Sequence, residues 1–489
     1  MKLYIQGHDY KYATEQMLLT LFPTERPEYP DTPPTEGEDC LHLSLSRGKT
    51  WVTARADLWW NGTEHVALRR CAATELEGGE LVADRACQRI LKLAFFQAAT
   101  EALGTCPPWG ALTGVRPVKI PTRAMQQGKT AAQARKLLEQ EYFVAPDRAT
   151  LAMDCARASM AADNSLRADE VSLYVGIPFC PSRCAYCSFI SADVGRSLKL
   201  VGPYLDGLLQ EVEQAGLGLR AAGKQVRTVY IGGGTPTTLN ARQMDALLGC
   251  MRQHLPLEGC TEFTVEAGRP DTIDLEKLQV LRRHGVDRIS INPQTLEDAV
   301  LDAIGRKHSA GDIAQAMKLA RQVGFDCINM DLIAGLPRDS FDGFCRSLNG
   351  VLAMKPENIT VHTLALKKGS RLMEQGGAIP DGDEVARMLA YSNAALRDAG
   401  YVPYYLYRQK YMSGSLENVG WAQPSKENVY NICMMEELHS VLSLGAGGVT
   451  KLVDRKTGAI QRISNPKFPY EYMEQLPQIL EQKRTMWNG

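Results

Sequence analysis

Between Val171 and Thr363 the chain alternates short apolar runs with longer helical patterns, and this alternation restricts the fold more than any other feature. The strand-like runs are Val171–Gly176, Thr228–Ile231, Glu262–Glu266, Arg288–Asn292, Cys327–Ile333 and Asn358–Thr363. Helical spacing falls near Pro203–Ala222, Ala241–His254, Leu275–His284, Asp312–Val323 and Phe341–Met354. Strands separated by helices predict right-handed crossovers and a parallel α/β sheet. Ligands of such sheets sit beyond the C-terminal ends of the strands. Chemistry is therefore expected in the segments that follow each run.

The first such segment carries Cys180, Cys184 and Cys187 at Cys-x3-Cys-x2-Cys spacing. Pro178 and Pro181 disfavour a continued strand, so the thiols are predicted on a loop leaving it. Thiolates hold iron–sulfur clusters or zinc. With 13 cysteines in 489 residues, this spacing arises by accident in about one chain in a hundred. No Cys or His at zinc-ribbon spacing stands nearby to complete a tetrahedron, which makes structural zinc the weaker alternative. Three ligands on a four-iron cluster leave one iron open for chemistry. The remaining cysteines (Cys40, Cys71, Cys87, Cys106, Cys155, Cys250, Cys260, Cys327, Cys345, Cys433) read as small core residues.

Other strand ends carry matching signals. Gly232-Gly233-Gly234-Thr235-Pro236-Thr237 follows the second run. Its glycines admit close backbone approach and are expected to leave N–H groups free for a carboxylate. Glu266 ends the third run and Gln294 follows the fourth. Gly305-Arg306-Lys307-His308 opens the next segment, and Asp331 sits in Asn329-Met330-Asp331-Leu332-Ile333-Ala334-Gly335-Leu336-Pro337. His362, on the sixth run, reads as a satisfied core histidine more readily than as a ligand.

Together, Tyr174, Pro178-Phe179-Cys180, the cysteine triplet and the glycine turn resemble the radical S-adenosylmethionine (SAM) superfamily. More narrowly they resemble the oxygen-independent coproporphyrinogen III oxidase group. The Gly176, Glu266–Thr272 and Thr113–Pro117 segments are most similar to its HemZ branch, named as a coproporphyrinogen dehydrogenase. The resemblance implies an α/β fold: a partial (βα)6 radical SAM barrel over residues 166–366. An N-terminal α+β accessory domain (1–165) and a C-terminal α+β extension (367–489) would flank it. It implies a 4Fe-4S cluster held by Cys180, Cys184 and Cys187 as the catalytic and metal-binding set, and one or two SAM molecules. In the family, cluster-bound SAM is cleaved to methionine and a 5′-deoxyadenosyl radical. Residue by residue, Gly233, Gly234 and Thr235 match the SAM-amine segment, and Glu266 matches a carboxylate on the SAM ribose. Tyr174 and Tyr186 match cofactor-side aromatics. Gln294, Arg306 and Asp331 match contacts to a second SAM. Ala365 and Val449 match backbone or apolar contacts to the first.

The implied function is oxidative decarboxylation of coproporphyrinogen III to protoporphyrinogen IX in porphyrin and haem biosynthesis, with flavodoxin or ferredoxin as electron donor. Two positions depart from the oxidase pattern: Phe189 replaces a fourth cysteine, and Gly176 replaces a histidine. A third, Gly268-Arg269-Pro270, stands where the oxidase has Asn-Pro. The alternatives are a haem-binding chaperone, or a radical SAM enzyme acting on another tetrapyrrole. The His-Asn-x-x-Tyr-Trp pattern of the related HemW chaperones does not occur here.

N-terminal to the alternation, Lys2–Gln6, Leu41–Ser46, Trp51–Leu58 and Glu64–Arg70 predict a small antiparallel sheet with Asn61-Gly62 as a hairpin turn. Helices are predicted at Asp84–Leu103, Ala131–Tyr142 and Ala149–Ala162. The Trp109–Pro117 turn, with Arg116 and Lys119, reads as a packing turn or an anion contact. C-terminal to the alternation, Tyr404, Tyr405, Tyr407 and Tyr411 with Arg408 and Lys410 suggest either a packed hairpin or a wall for a flat carboxylated ligand. A net charge of −1 gives no pull toward nucleic acid. No window approaches a membrane span, so no membrane insertion is expected. Many cysteines without a disulfide framework predict a cytoplasmic, reducing location.

Overall fold

The computed structural model describes residues 1–32, 38–187, 192–366, 370–375, 381–409 and 416–487. Phe189, Lys410 and Tyr411 lie outside the described residues. The chain forms two compact units, Met1–Met153 and Asp154–Gly489. No helix among the described residues is long and apolar enough to cross a membrane.

In the first unit, β1 (Lys2–Gln6), α1 (Lys11–Leu21), β2 (Cys40–Arg47), β3 (Trp51–Trp60) and β4 (Thr63–Ala72) build a four-stranded sheet in sequence order. The antiparallel expectation holds for β2, β3 and β4, but β1 runs parallel to β2. Parallel neighbours need a crossover, and α1, absent from the sequence reading, supplies it. Asn61 and Gly62 both adopt positive φ, as a tight I′ hairpin requires. The helix α2 (Glu80–Leu103) buries Ile90, Leu91, Ala94, Phe95 and Ala98 in the core shared with Leu41, Leu43, Ala54 and Ala56. After α3 (Lys119–Gln126), the helix predicted over Ala131–Tyr142 is α4 (Ala131–Lys136) continued by a π turn over Leu137–Glu141. The helix α5 (Pro146–Ser165) follows.

The second unit is built on one sheet of eleven strands. β5 (Glu170–Ile177) ends at Pro178, and Phe179–Cys180 (β6) forms a short parallel ladder with β7 (Ala192–Asp193). Then follow α6 (Val194–Ala221), β8 (Gln225–Gly233), α7 (Ala241–His254), β9 (Glu262–Glu266), α8 (Leu275–Arg283), β10 (Arg288–Ser290), α9 (Asp298–Ala303), α10 (Ala310–Val323), β11 (Cys327–Ala334), α11 (Phe341–Ala353) and β12 (Asn358–Thr363). The six expected strands lie side by side and parallel, in the order β5-β8-β9-β10-β11-β12. Helix starts are set locally. Asn240, Asp274, Ser309 and Ser340 each accept a hydrogen bond from the backbone amide three residues on.

The C-terminal segments extend this sheet at both edges. After α12 (Arg371–Gln375) and α13 (Gly382–Asp398), β13 (Val402–Tyr407) and β14 (Asn418–Ala422) add antiparallel strands beside β12. After α14 (Val429–Glu436), β15 (Val441–Leu444) lies parallel to β5, and β16 (Val449–Val453) and β17 (Ile460–Ser464) continue outward. The helices α15 (Pro469–Glu474) and α16 (Leu476–Thr485) close the chain against α6. The centre of that closure is Glu211, which is fully buried. It accepts hydrogen bonds from Gly445 N at 2.7 Å, Tyr472 OH at 2.7 Å and Asn465 Nδ2 at 2.9 Å, with Lys483 Nζ at 3.6 Å. Beside it, Tyr204 OH donates to Gly176 O at 2.7 Å and accepts from Ala446 N at 2.9 Å. The Gly445–Ala446 turn is thereby pinned to the C-terminal end of β5, where the cysteine loop begins.

Candidate functional site

Along the six parallel strands, one parity of side chains packs under the helices and is apolar. The other parity points inward and is polar. The inward row includes Ser172 and Tyr174 on β5, Thr228 and Tyr230 on β8, Thr264 and Glu266 on β9, Ser290 on β10, Asn329 and Asp331 on β11, and Thr360 and His362 on β12. Buried polar groups must be paired, and these pair with one another across neighbouring strands. Ser172 meets Thr228 at 2.6 Å, Asn329 Nδ2 donates to Ser290 Oγ at 2.8 Å, and Thr360 donates to Asn329 Oδ1 at 3.2 Å. The row opens at the strands' C-terminal ends into a cavity of about 380 Å³.

All three cysteines of the triplet line this cavity, as do Tyr186, Gly233, Gly234, Thr235, Glu266, Gln294, Arg306 and Asp331. Residues from five separate strand ends and the intervening loops thus meet in one place. Ala365 lines an adjoining cavity of about 190 Å³, which shares Tyr186, Cys187, Gln294, His362 and Tyr407 with the first. Tyr174 stacks on Tyr230 at 6.4 Å, and Tyr230 forms the wall in its place. Val449 pairs with Ser464 in the outer ladder and lines neither cavity.

The cysteine loop is held by two of the marked segments. Arg269 donates to Ser182 O at 3.2 Å and Ser182 Oγ at 2.8 Å while paired with Asp271. Ser182 Oγ donates to Gly305 O at 3.4 Å, and Ala185 N donates to Ile304 O at 3.0 Å. The Gly268-Arg269-Pro270 departure therefore has a structural role, since its guanidinium braces the loop. Gly176 also has a reason. A Cβ there would sit 3.0 Å from Ala446 O, so the oxidase's histidine has little room.

The glycine turn departs from its expected chemistry. Gly234 N donates to Ile177 O at 2.8 Å and Thr235 N to Phe179 O at 2.7 Å, so these amides are not free for a carboxylate. Gly233 adopts φ +108°, which glycine favours, and its amide bonds Glu266. The turn is stitched to the strand bearing Cys180, and Thr235 Oγ1 lies 3.5 Å from Cys180 Sγ.

Burial pushes the Glu266 carboxyl up to about 7, against the pull of Tyr230, whose hydroxyl donates to Oε1 at 2.6 Å. Asp331 is also buried, which alone would raise it. His362, Asn329 and Thr360 outweigh that and hold it below the usual carboxylate range. Arg306 gives Nη1 to Asn292 O at 2.5 Å and Nη2 to Tyr186 OH at 3.4 Å. Gln294 sits at φ +68°, an uncommon conformation for a non-glycine residue, fixed by backbone hydrogen bonds to Asp331 and Ile333. Among the described residues, its Oε1 and the Nε of Arg306 are buried without a hydrogen-bond partner. Both residues line the cavity, and such orphaned atoms fit a ligand that carries donors and acceptors.

Among the described residues, no three His, Cys, Asp or Glu side chains are gathered tightly enough for a metal ion. A four-iron cube is wider than one ion, so its thiolates stand further apart than ligands sharing a single metal. Three loop cysteines around one cavity suit the cube better than a mononuclear site.

Sequence reading passed over Tyr230, Asn292, Asn329, Thr360 and Asn431, all of which line the cavity, and assigned His362 to the core; Tyr405 and Tyr407, read as part of either a packed hairpin or a ligand wall, line it too. A signal existed for the strand members: polar side chains at the same parity as Glu266 and Asp331. For Asn431 no local signal existed, because α14 arrives from outside the alternating segment.

The radical SAM superfamily profile matches residues 174–348. The chain is 39% identical over 450 residues to the oxygen-independent coproporphyrinogen-III oxidase-like protein HemZ of Bacillus subtilis, covering 91% of this chain and 89% of that protein. It is 29% identical over 307 residues to the heme chaperone HemW of Escherichia coli, covering 62% of this chain and 76% of the chaperone. In structure it resembles the coproporphyrinogen III oxidase HemN of Escherichia coli, with a TM-score of 0.52 and 24% identity over 66% of this chain and 72% of that one.

Proposed function

Because this chain belongs to the radical SAM superfamily, within its HemZ group of oxygen-independent coproporphyrinogen-III oxidase-like proteins, we propose that it oxidatively decarboxylates a carboxylated tetrapyrrole, coproporphyrinogen III. The family's cofactors are a 4Fe-4S cluster and SAM. One observation carries the reading: the three thiols, the glycine turn, Glu266, Gln294, Arg306 and Asp331 all line a single cavity.

Cys180, Cys184 and Cys187 would hold the cluster. When bound, cluster and SAM supply an electron and a carbon radical able to take a hydrogen atom from an unactivated C–H bond. The protein's own share is position. Glu266, oriented by Tyr230, would accept from ribose hydroxyls in its ionised form. With its amides occupied, the glycine turn offers carbonyl oxygens to an amine. Arg306, fixed by Asn292 and Tyr186, presents its Nε to a carboxylate. The polar floor and the tyrosine wall hold the substrate so that one propionate β-carbon meets the radical. Each propionate would give one hydrogen atom to that carbon radical and then release carbon dioxide, passing one electron to an external one-electron acceptor, to become vinyl. A reducing, cytoplasmic setting and a flavodoxin- or ferredoxin-type donor belong to the same reading.

The test is anaerobic reconstitution with iron and sulfide, then dithionite, SAM and coproporphyrinogen III. Protoporphyrinogen formation with 5′-deoxyadenosine is expected; 5′-deoxyadenosine without porphyrin product would overturn the substrate assignment. Similarity to a relative named a heme chaperone supports a second reading, haem binding. Stoichiometric haem uptake with no coproporphyrinogen-dependent SAM cleavage would favour it.

A further inference from the structure

His362 is a titratable cavity residue to which the proposed reaction assigns no role. It ends the inward row of β12 and lines both cavities, so it stands where they join. Its Nε2 lies 3.7 Å from Asp331 Oδ2, and Asp331 Oδ1 is braced by Asn329 Nδ2 at 2.7 Å. No hydrogen bond to the other ring nitrogen is made among the described residues. At 3.7 Å the Asp331 carboxylate is an electrostatic neighbour that biases the ring's orientation, not a hydrogen-bond partner. Two arginines of the wall are largely committed, with Arg306 keeping only its Nε for a ligand. Arg269 serves Asp271 and the cysteine loop, and Arg306 spends both terminal nitrogens on Asn292, Gly268 and Tyr186. The ionisable groups around His362 are Asp331 and Glu266 from β11 and β9, Tyr405 and Tyr407 from β13, and Tyr186, Cys187 and Arg306 from the loops.

We propose that His362, oriented by Asp331, is the specificity-determining residue that receives a carboxylate arm of the substrate; this rests on the tetrapyrrole reading. A ring N–H donated to the delivered carboxylate makes a charge-assisted hydrogen bond, because the acceptor is ionised. A site built around such a bond rejects the analogue that lacks the group. Asp331 is then a positioning residue acting through His362.

The test titrates coproporphyrin III and its amide derivative, in which each propionate is a propionamide, into full-length enzyme reconstituted anaerobically. Wild type, His362→Gln and His362→Lys are compared, with iron content and SAM affinity measured on each. Wild type is expected to prefer the acid over the amide by about tenfold, the discrimination of one charge-assisted hydrogen bond. His362→Gln should bring the ratio near one while amide and SAM affinities hold, and His362→Lys should restore part of it. An unchanged ratio in His362→Gln overturns the proposal, as does equal weakening of acid and amide, which would mean that His362 only shapes the wall. Binding of neither porphyrin by wild type overturns it together with the tetrapyrrole reading; binding with an unchanged ratio overturns it alone.

Discussion

Replacing Gly234 by alanine probes whether the glycine turn and the cysteine strand act as one piece. The new Cβ would lie 2.4 Å from Phe179 O and 2.9 Å from the Phe179 N and C atoms. These are backbone atoms, so no side chain can swing aside. Reaching even the 3.0 Å lower limit of Cβ contacts parts the two chains by about 0.6 Å. The bonds Gly234 N to Ile177 O at 2.8 Å and Thr235 N to Phe179 O at 2.7 Å stretch with it. Each is worth about 1 kcal/mol net, and more where a buried group is left unmade, so the substitution should cost roughly 2–4 kcal/mol. Cys180 follows Phe179 directly and moves with it. The assay is iron and sulfide per chain after anaerobic reconstitution, beside the urea midpoint. Both should fall. Gly232→Ala is the contrast: its Cβ would meet the Glu266 carboxylate at 3.0 Å, a side chain rather than backbone. That variant should keep its cluster and lose SAM affinity. Full iron content in Gly234→Ala, with stability within about 0.5 kcal/mol of wild type, would refute the coupling.

Cys180→Ser, Cys184→Ser and Cys187→Ser should each lose the cluster while the far-ultraviolet circular dichroism stays unchanged; iron analysis decides. Glu266 is raised by burial from 4.5 to about 7, so its folded form holds the proton more tightly than the unfolded chain does. Its contribution to stability is therefore complete below about pH 4.5 and lost as pH rises through about 7. SAM affinity should move the other way, since the ribose acceptor is the ionised form: isothermal titration should show it rising from about pH 6 to 8 in wild type and flat in Glu266→Gln. Lys483→Met strips Glu211 of its only cation among the described residues and should cost about 3–5 kcal/mol in urea unfolding. Adding Glu211→Gln should recover part of that loss, whereas strict additivity would show that the two groups do not interact.

Much of the site was legible because its signals are short-range. Three cysteines within eight residues, a glycine turn after a strand and a carboxylate at a strand end all depend on neighbours along the chain. So does the strand–helix alternation, and with it the side of the sheet where ligands collect. What the sequence could not reveal depends on contacts between distant segments. Glu211 meets Gly445 across 234 positions, and that contact seats the last turn against β5. Strand pairing at the two edges drew β13, β14 and β15 into the central sheet, bringing Tyr405 and Tyr407 to the cavity. The turn amides offered the plainest contrast: glycine spacing marked the place, but only the approach of Ile177, Phe179 and Glu266 consumed the donors. His362 was a histidine of ordinary appearance until β11 and β12 came into register and set Asp331 behind it. Local preference sets where elements begin and end, whereas burial and hydrogen-bond completion across the sheet set which side chains share a wall.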